Sequence, residues 1–88
     1  MSLRILSSPD PAPTLDALRE AIAQAIPGAD VVVEAASPGH FTIVVASEAF
    51  AGRSLVQQQQ LVYGAIAPLM AGDAAPVHAI DRLVTRVR

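Results

Sequence analysis

Two runs rich in β-branched residues, DVVVEA and FTIVVA, stand on either side of Ser37, Pro38 and Gly39. Side chains that branch at Cβ suit extended backbone, and a Ser-Pro-Gly cluster is turn chemistry, so the pair predicts an antiparallel hairpin. Within the second run Phe41, Ile43 and Val45 fall on one face and Thr42, Val44 and Ala46 on the other, the period of two that a strand imposes. Any fold for this chain has to be built around that hairpin.

The flanking segments read as helices and one further strand. Residues 1–13, with Pro9, Pro11 and Pro13, lack a sustained period and are expected to form a flexible lead-in, leaving 14–88 as the domain. Thr14 is placed to cap a first helix in which Leu15, Leu18, Ile22 and Ile26 recur at helical spacing, with Asp16 and Glu20 toward its positive end and Pro27-Gly28 as the stop. After the hairpin, SEAFAG reads as one helical turn closed by Gly52. A longer helix then runs from Ser54 toward Met70, with Leu55, Val62, Ile66 and Leu69 tracing one face. Pro68 has no N–H to donate, so its regular part is expected to stop near Ala67. Residues 77–87 read as a final strand whose alternation breaks at Asp81 and Arg82, and a bulge near Asp81 would keep both halves apolar inward. The predicted order is αββααβ, an α+β domain.

Totals bound the function. At 88 residues the chain is one domain with one modest core, so function belongs on a surface or a loop. With 52% apolar and 16% charged residues it can bury enough surface to fold. A net charge of −2 and a pI near 5.4 argue against a free-standing nucleic-acid binder, whose affinity comes from clustered cations. All six basic residues are arginines, and Arg82, Arg86 and Arg88 sit near the end, as a local basic patch or as solvated strand-edge charges. Cysteine is absent, which removes disulfides, thiolate metal cages and thiol nucleophiles from this chain's own repertoire. No secretion signal is visible and no apolar run approaches the ~18 residues of a membrane span, so a cytoplasmic protein without membrane contact is expected.

Catalytic signatures are missing. There is no phosphate-binding glycine loop, no HExxH and no GxSxG, and the eight carboxylates are scattered without paired spacing. Ser47, Glu48 and a histidine could be drawn as a triad, but such coincidences are cheap in a chain with many serines. No residue is assigned a catalytic role, and an enzyme is the least supported class. The run Gln57 to Gln60 spans a whole helical turn, so it reads as wet helix surface with some members turned inward, or as amide contacts to a partner.

Two histidines remain. His40 stands before the second strand in SPGHFTIVV and His78 before the last in PVHAI, positions from which a side chain leans over the end of a sheet. Spacing alone leaves both readings open, hydrogen-bonded structural residues or ligands.

The joint occurrence of His40-Phe41, Phe50-Ala51-Gly52, Leu61-Val62-Tyr63 and His78-Ala79 resembles the BolA family across residues 15–87. That resemblance implies an αββααβ fold of the class II KH-like type, with a three-stranded sheet and helices packed on one face. It also implies a non-enzymatic adaptor beside a monothiol glutaredoxin, in which a [2Fe-2S] cluster is shared between partner thiolates, glutathione and this chain. His78 matches the C-terminal histidine of the family pattern and is the first candidate ligand; His40 matches the histidine of the HF pair and is the second. Neutral imidazole can replace thiolate on such a cluster, and the neighbours Val77, Ala79 and Ile80 lead one to expect a partly desolvated His78. Where many members carry a second ligand in a longer loop between the first strands, EAASPG offers none. Where most carry a basic cluster, this chain has its glutamines, as in an acid-stress-associated subgroup. The resemblance leaves a second role open, a nucleic-acid-binding transcriptional regulator using the helix-turn-helix-like segment 47–67 with Arg53 and Arg86 as contacts. Alone, the chain is expected to be a monomer or weak dimer.

Overall fold

The two β-branched runs pair as the turn between them dictates. In the computed structural model, which describes residues 10–88, β1 (Asp30–Ala35) and β2 (His40–Ala46) are antiparallel, with Val32 opposite Val44 and Ala35 opposite Phe41. Gly39 closes the turn at φ 78°, a conformation open to glycine because it has no Cβ, and the His40 N–H donates back to the Ser37 carbonyl at 2.8 Å. Phe41, Ile43 and Val45 are buried and their alternates are half-buried, as the period of two predicts.

The last strand, β3 (Ala79–Arg86), runs parallel to β2 on its other side, giving a mixed sheet of order β1-β2-β3. Parallel neighbours need a crossover, which the intervening helical segment supplies. The expected bulge is present: Ile80 pairs with Phe41 and Arg82 with Thr42, leaving Asp81 as the extra residue. Ile80 and Leu83 consequently both stay on the packed side, where they lie against the core.

Helices α1 (Ala12–Ala25) and α2 (Leu55–Met70) cover one face of the sheet. Leu18, Ile22, Val62, Ile66 and Ile43 meet there, together with Phe50 at 0% exposure. Phe50 comes from a 3-10 turn, Glu48–Phe50, which is the single helical turn predicted after the hairpin. Ser47 caps that turn through Ala49 N–H at 3.0 Å, and its hydroxyl donates to the Pro27 carbonyl at 2.8 Å, so a fully buried serine has its polar atom satisfied.

Three local expectations need correction. Helix α1 starts at Ala12, not after a Thr14 cap: Pro11 is the N-cap residue, proline suits the first turn because its missing N–H is not needed there, and the Asp10 carboxylate accepts from Ala12 N–H at 2.9 Å. Asp16 and Glu20 therefore lie past the first turn, and residues 1–9 of the expected lead-in lie outside the described residues. Second, α2 continues through Pro68 to Met70. Pro68 lies in the last turn and leaves one ladder bond unmade, to the carbonyl of Gly64 four residues back, an exposed position where water can take its place. Third, Leu55 is 59% exposed, because it occupies the first position of α2, about two turns before Val62 and beyond the layer that covers Val62 and Ile66. Among the described residues no helix is long and apolar enough to cross a membrane.

Candidate functional site

Register brings both histidines to one end of the sheet, since His40 pairs with Ala79 and His78 is the residue before it. The local anchor is Val77, 1% exposed, whose N–H donates to the Leu69 carbonyl at 3.2 Å. With Val77 driven into the core, the next residue is turned out. His78 is exposed, which corrects the expectation of partial desolvation.

The turn that precedes β2 shapes the seat for this ring. The Gly39 carbonyl accepts from His78 N–H at 2.8 Å and from Ala79 N–H at 3.1 Å. A Cβ at Gly39 would lie 2.6 Å from His78 Nδ1 and 2.8 Å from its Cγ, so the imidazole rests against a bare Cα. Glycine is needed there twice, for its positive φ and for the space the ring fills. Neither ring nitrogen of His78 hydrogen-bonds to another described residue.

His78 also lines a cavity of about 430 Å³ between the start of α1, the β1–β2 turn and the segment before β3. Pro11, Thr14, Pro38, Phe41 and Pro76 contribute to its wall, and Asp10 and His78 are its ionisable side chains among the described residues. A mostly apolar hollow with few polar groups at its mouth is the usual form of a docking or ligand site.

His40 is arranged differently. It shares the outer face of the sheet with Thr42 and Val44, does not line the cavity, and places Nδ1 2.8 Å from the Asp81 carboxylate. A carboxylate accepts only, so Nδ1 is the donor and Nε2 is left toward solvent on a side chain 40% exposed. The bulge is what aims Asp81 at it. The two candidate ligands thus share one end of the sheet but face opposite sides of it. No group of three or more His, Cys, Asp or Glu side chains with metal-binding proximity occurs among the described residues.

Arg53 and Arg86 lie in different layers. Arg53 precedes α2 and its Nε donates to the Ala49 carbonyl at 3.1 Å, whereas Arg86 points from the end of β3 toward the side of the sheet that the helices leave open. The glutamine run divides by position. Gln57 and Ser54 exchange side-chain and backbone hydrogen bonds at 3.0 and 3.1 Å, a capping box legible in the sequence as Ser-x-x-Gln. Gln58 is 9% exposed, donates to the Arg53 carbonyl at 3.0 Å and accepts from the Thr85 hydroxyl at 2.8 Å. Gln59 is half-buried and Gln60 is exposed.

Comparison with known proteins adds a family. The family model described as BolA-like protein matches residues 16–85. Among solved structures, BolA1 from Arabidopsis thaliana is similar at 24% identity and a TM-score of 0.68, covering 83% of this chain and 89% of that one. BolA1 from Mus musculus is similar at 30% identity and a TM-score of 0.59, covering 84% of this chain and 65% of its own. A BolA-like hypothetical protein from Rickettsia prowazekii is 19% identical with a TM-score of 0.61, covering 83% and 92% respectively. No curated protein matched the sequence.

Proposed function

This chain belongs to the BolA-like family, and from that premise we propose that it is a non-enzymatic adaptor which binds a monothiol glutaredoxin and helps to hold or pass on a [2Fe-2S] cluster, with His78 as the ligand it contributes. The observation that carries the reading is the state of that ring: exposed, seated on Gly39 at the mouth of a cavity, and free of hydrogen bonds to any described residue. His40 faces the other side of the sheet and does not line the cavity, so it does not join His78 on one cluster; its Asp81 contact leaves Nε2 free, as in many ligating histidines, and it stays the second candidate.

A chain without cysteine has to rely on thiolates from elsewhere, and glutathione in a reducing cytoplasm is the matching compartment. A bound [2Fe-2S] cluster supplies one-electron chemistry, at a potential that imidazole ligation raises relative to an all-thiolate set. The residues of this chain do the positioning. Val77 fixes the depth of the segment, the Gly39 carbonyl fixes its register, and the turn at Pro38 and the start of α1 bound the space a partner can enter.

Co-reconstitution of the protein and a monothiol glutaredoxin with iron, sulfide and glutathione tests the reading. The expected product is a mixed complex whose visible circular dichroism differs from that of the glutaredoxin homodimer, lost in His78→Ala and retained in His40→Ala. An unaltered spectrum and complex with His78→Ala would remove His78 from the cluster.

A further inference from the structure

No described helix or loop covers the face of the sheet opposite the helices, and its side chains are ordered in a way that the adaptor reading does not use. The register aligns them in rows across the strands: Val32, Val44 and Val84 in one, and Glu34, Thr42 and Arg82 in the next. Val32 is 56% exposed although it sits in the middle of its strand, and Val44 and Val84 are half-buried beside it. Charge on this face is polarised, with carboxylates on β1 at Asp30 and Glu34 and guanidinium groups on β3 at Arg82 and Arg86, while the one carboxylate of β3, Asp81, is taken up by His40 at 2.8 Å. Asp30 is engaged within the chain by Arg88 at 3.3 Å, whereas Glu34, Arg82 and Arg86 form no ion pair with any described residue.

We propose that this face binds a second copy of the same chain, face to face, about a two-fold axis running parallel to β2. Such an axis leaves β2 opposite itself and exchanges β1 with β3. Each Glu34 then meets the other copy's Arg82, each Arg82 meets the other copy's Glu34, and the valine rows stack on one another. An isologous contact requires a surface complementary to its own image. A face with an unpaired acid, Glu34, on one edge strand, unpaired arginines on the other and an apolar row beside them satisfies that requirement. Facing sheets cross at about 30°, which displaces groups one strand away from the axis by only a few Å, within reach of glutamate and arginine side chains.

The size of the surface sets the strength. Three strands of this length present on the order of 350 Å² per copy, less than half of what a stable interface buries on each partner, so the dimer is weak and forms at high concentration. The cavity at His78 lies on the other side of the sheet and stays open in it.

Dilution of the full chain between about 1 mM and about 10 μM, followed by amide NMR shifts and sedimentation, spans the relevant range. Concentration-dependent shifts centred on Val32, Val44 and Val84 are expected. Glu34→Arg and Arg82→Glu should each weaken self-association about tenfold, because each places like charges together twice in the symmetric pair. Mixed in equal amounts, the two variants should associate more tightly than either does alone, a result that misfolding cannot produce. The proposal is overturned by a chain monomeric throughout the range, by a mixture no tighter than its components, or by self-association that Leu55→Asp abolishes and Val44→Asp leaves intact.

Discussion

Gly39 carries more than its size suggests. Its φ of 78° and the His78 ring lying where a Cβ would go make it the residue on which the candidate site depends. Gly52, at φ 76° with open space around it, is the natural control. Both Gly39→Ala and Gly52→Ala are expected to cost about 1–3 kcal/mol in urea unfolding, since each forces a side chain into the left-handed region. Only Gly39→Ala should also shift the His78 ring resonances and weaken the mixed glutaredoxin complex; equal behaviour of the two variants would refute the seat. The sequence made His78 legible as the residue before a strand, but not its exposure. Apolar neighbours suggested burial, whereas side chains of adjacent residues point to opposite sides, and it is Val77 that takes the inward position. The pairing of His40 with Asp81 was not legible either, because it joins residues far apart in sequence through a register that no local pattern specifies.

Among the elements, the hairpin and the bulge were readable for a shared reason: both are written in a period of two, and a break in that period has few structural solutions. The bulge leaves Asp81 outside the ladder, so its deletion removes a residue that pairs with nothing on β2. Deleting Asp81 is expected to preserve the fold and the pairing of His40 with Ala79 in NMR, with a stability change within about 1 kcal/mol, because only an exposed His-carboxylate contact is lost. Collapse of β3 signals on deletion would show that the bulge holds the register and does not merely accommodate the extra residue. Helix limits were less readable. Prolines near an N-terminus look like breakers until the first turn is located, and Pro68 reads as a stop although a proline in the last turn costs a single bond to an exposed carbonyl. Leu55 fitted the periodic face of α2, yet periodicity reports an angle around the helix axis and carries no information on whether a neighbour covers that turn.

For the molecule as a whole, the order of elements followed from pattern and the one-sided helical layer from the family resemblance, while the parallel placement of β3 beside β2 depends on how the crossover packs. The core is a single thin layer, and Phe50 from the 3-10 turn fills its centre at 0% exposure. Phe50→Ala is expected to cost about 3–5 kcal/mol, a large share of the total for a domain this small, whereas Val87→Ala, 50% exposed, should change stability by less than about 0.5 kcal/mol. Similar urea midpoints for the two variants would mean that the core lies elsewhere. The parallel pairing also governs timing. The hairpin that carries Gly39 can close within microseconds, but the strand that delivers His78 joins it only after the intervening crossover has collapsed. On the ribosome, therefore, the imidazole reaches its cradle only after the crossover has formed, and a polypeptide cut between β2 and β3 keeps Gly39 without the ring that rests on it.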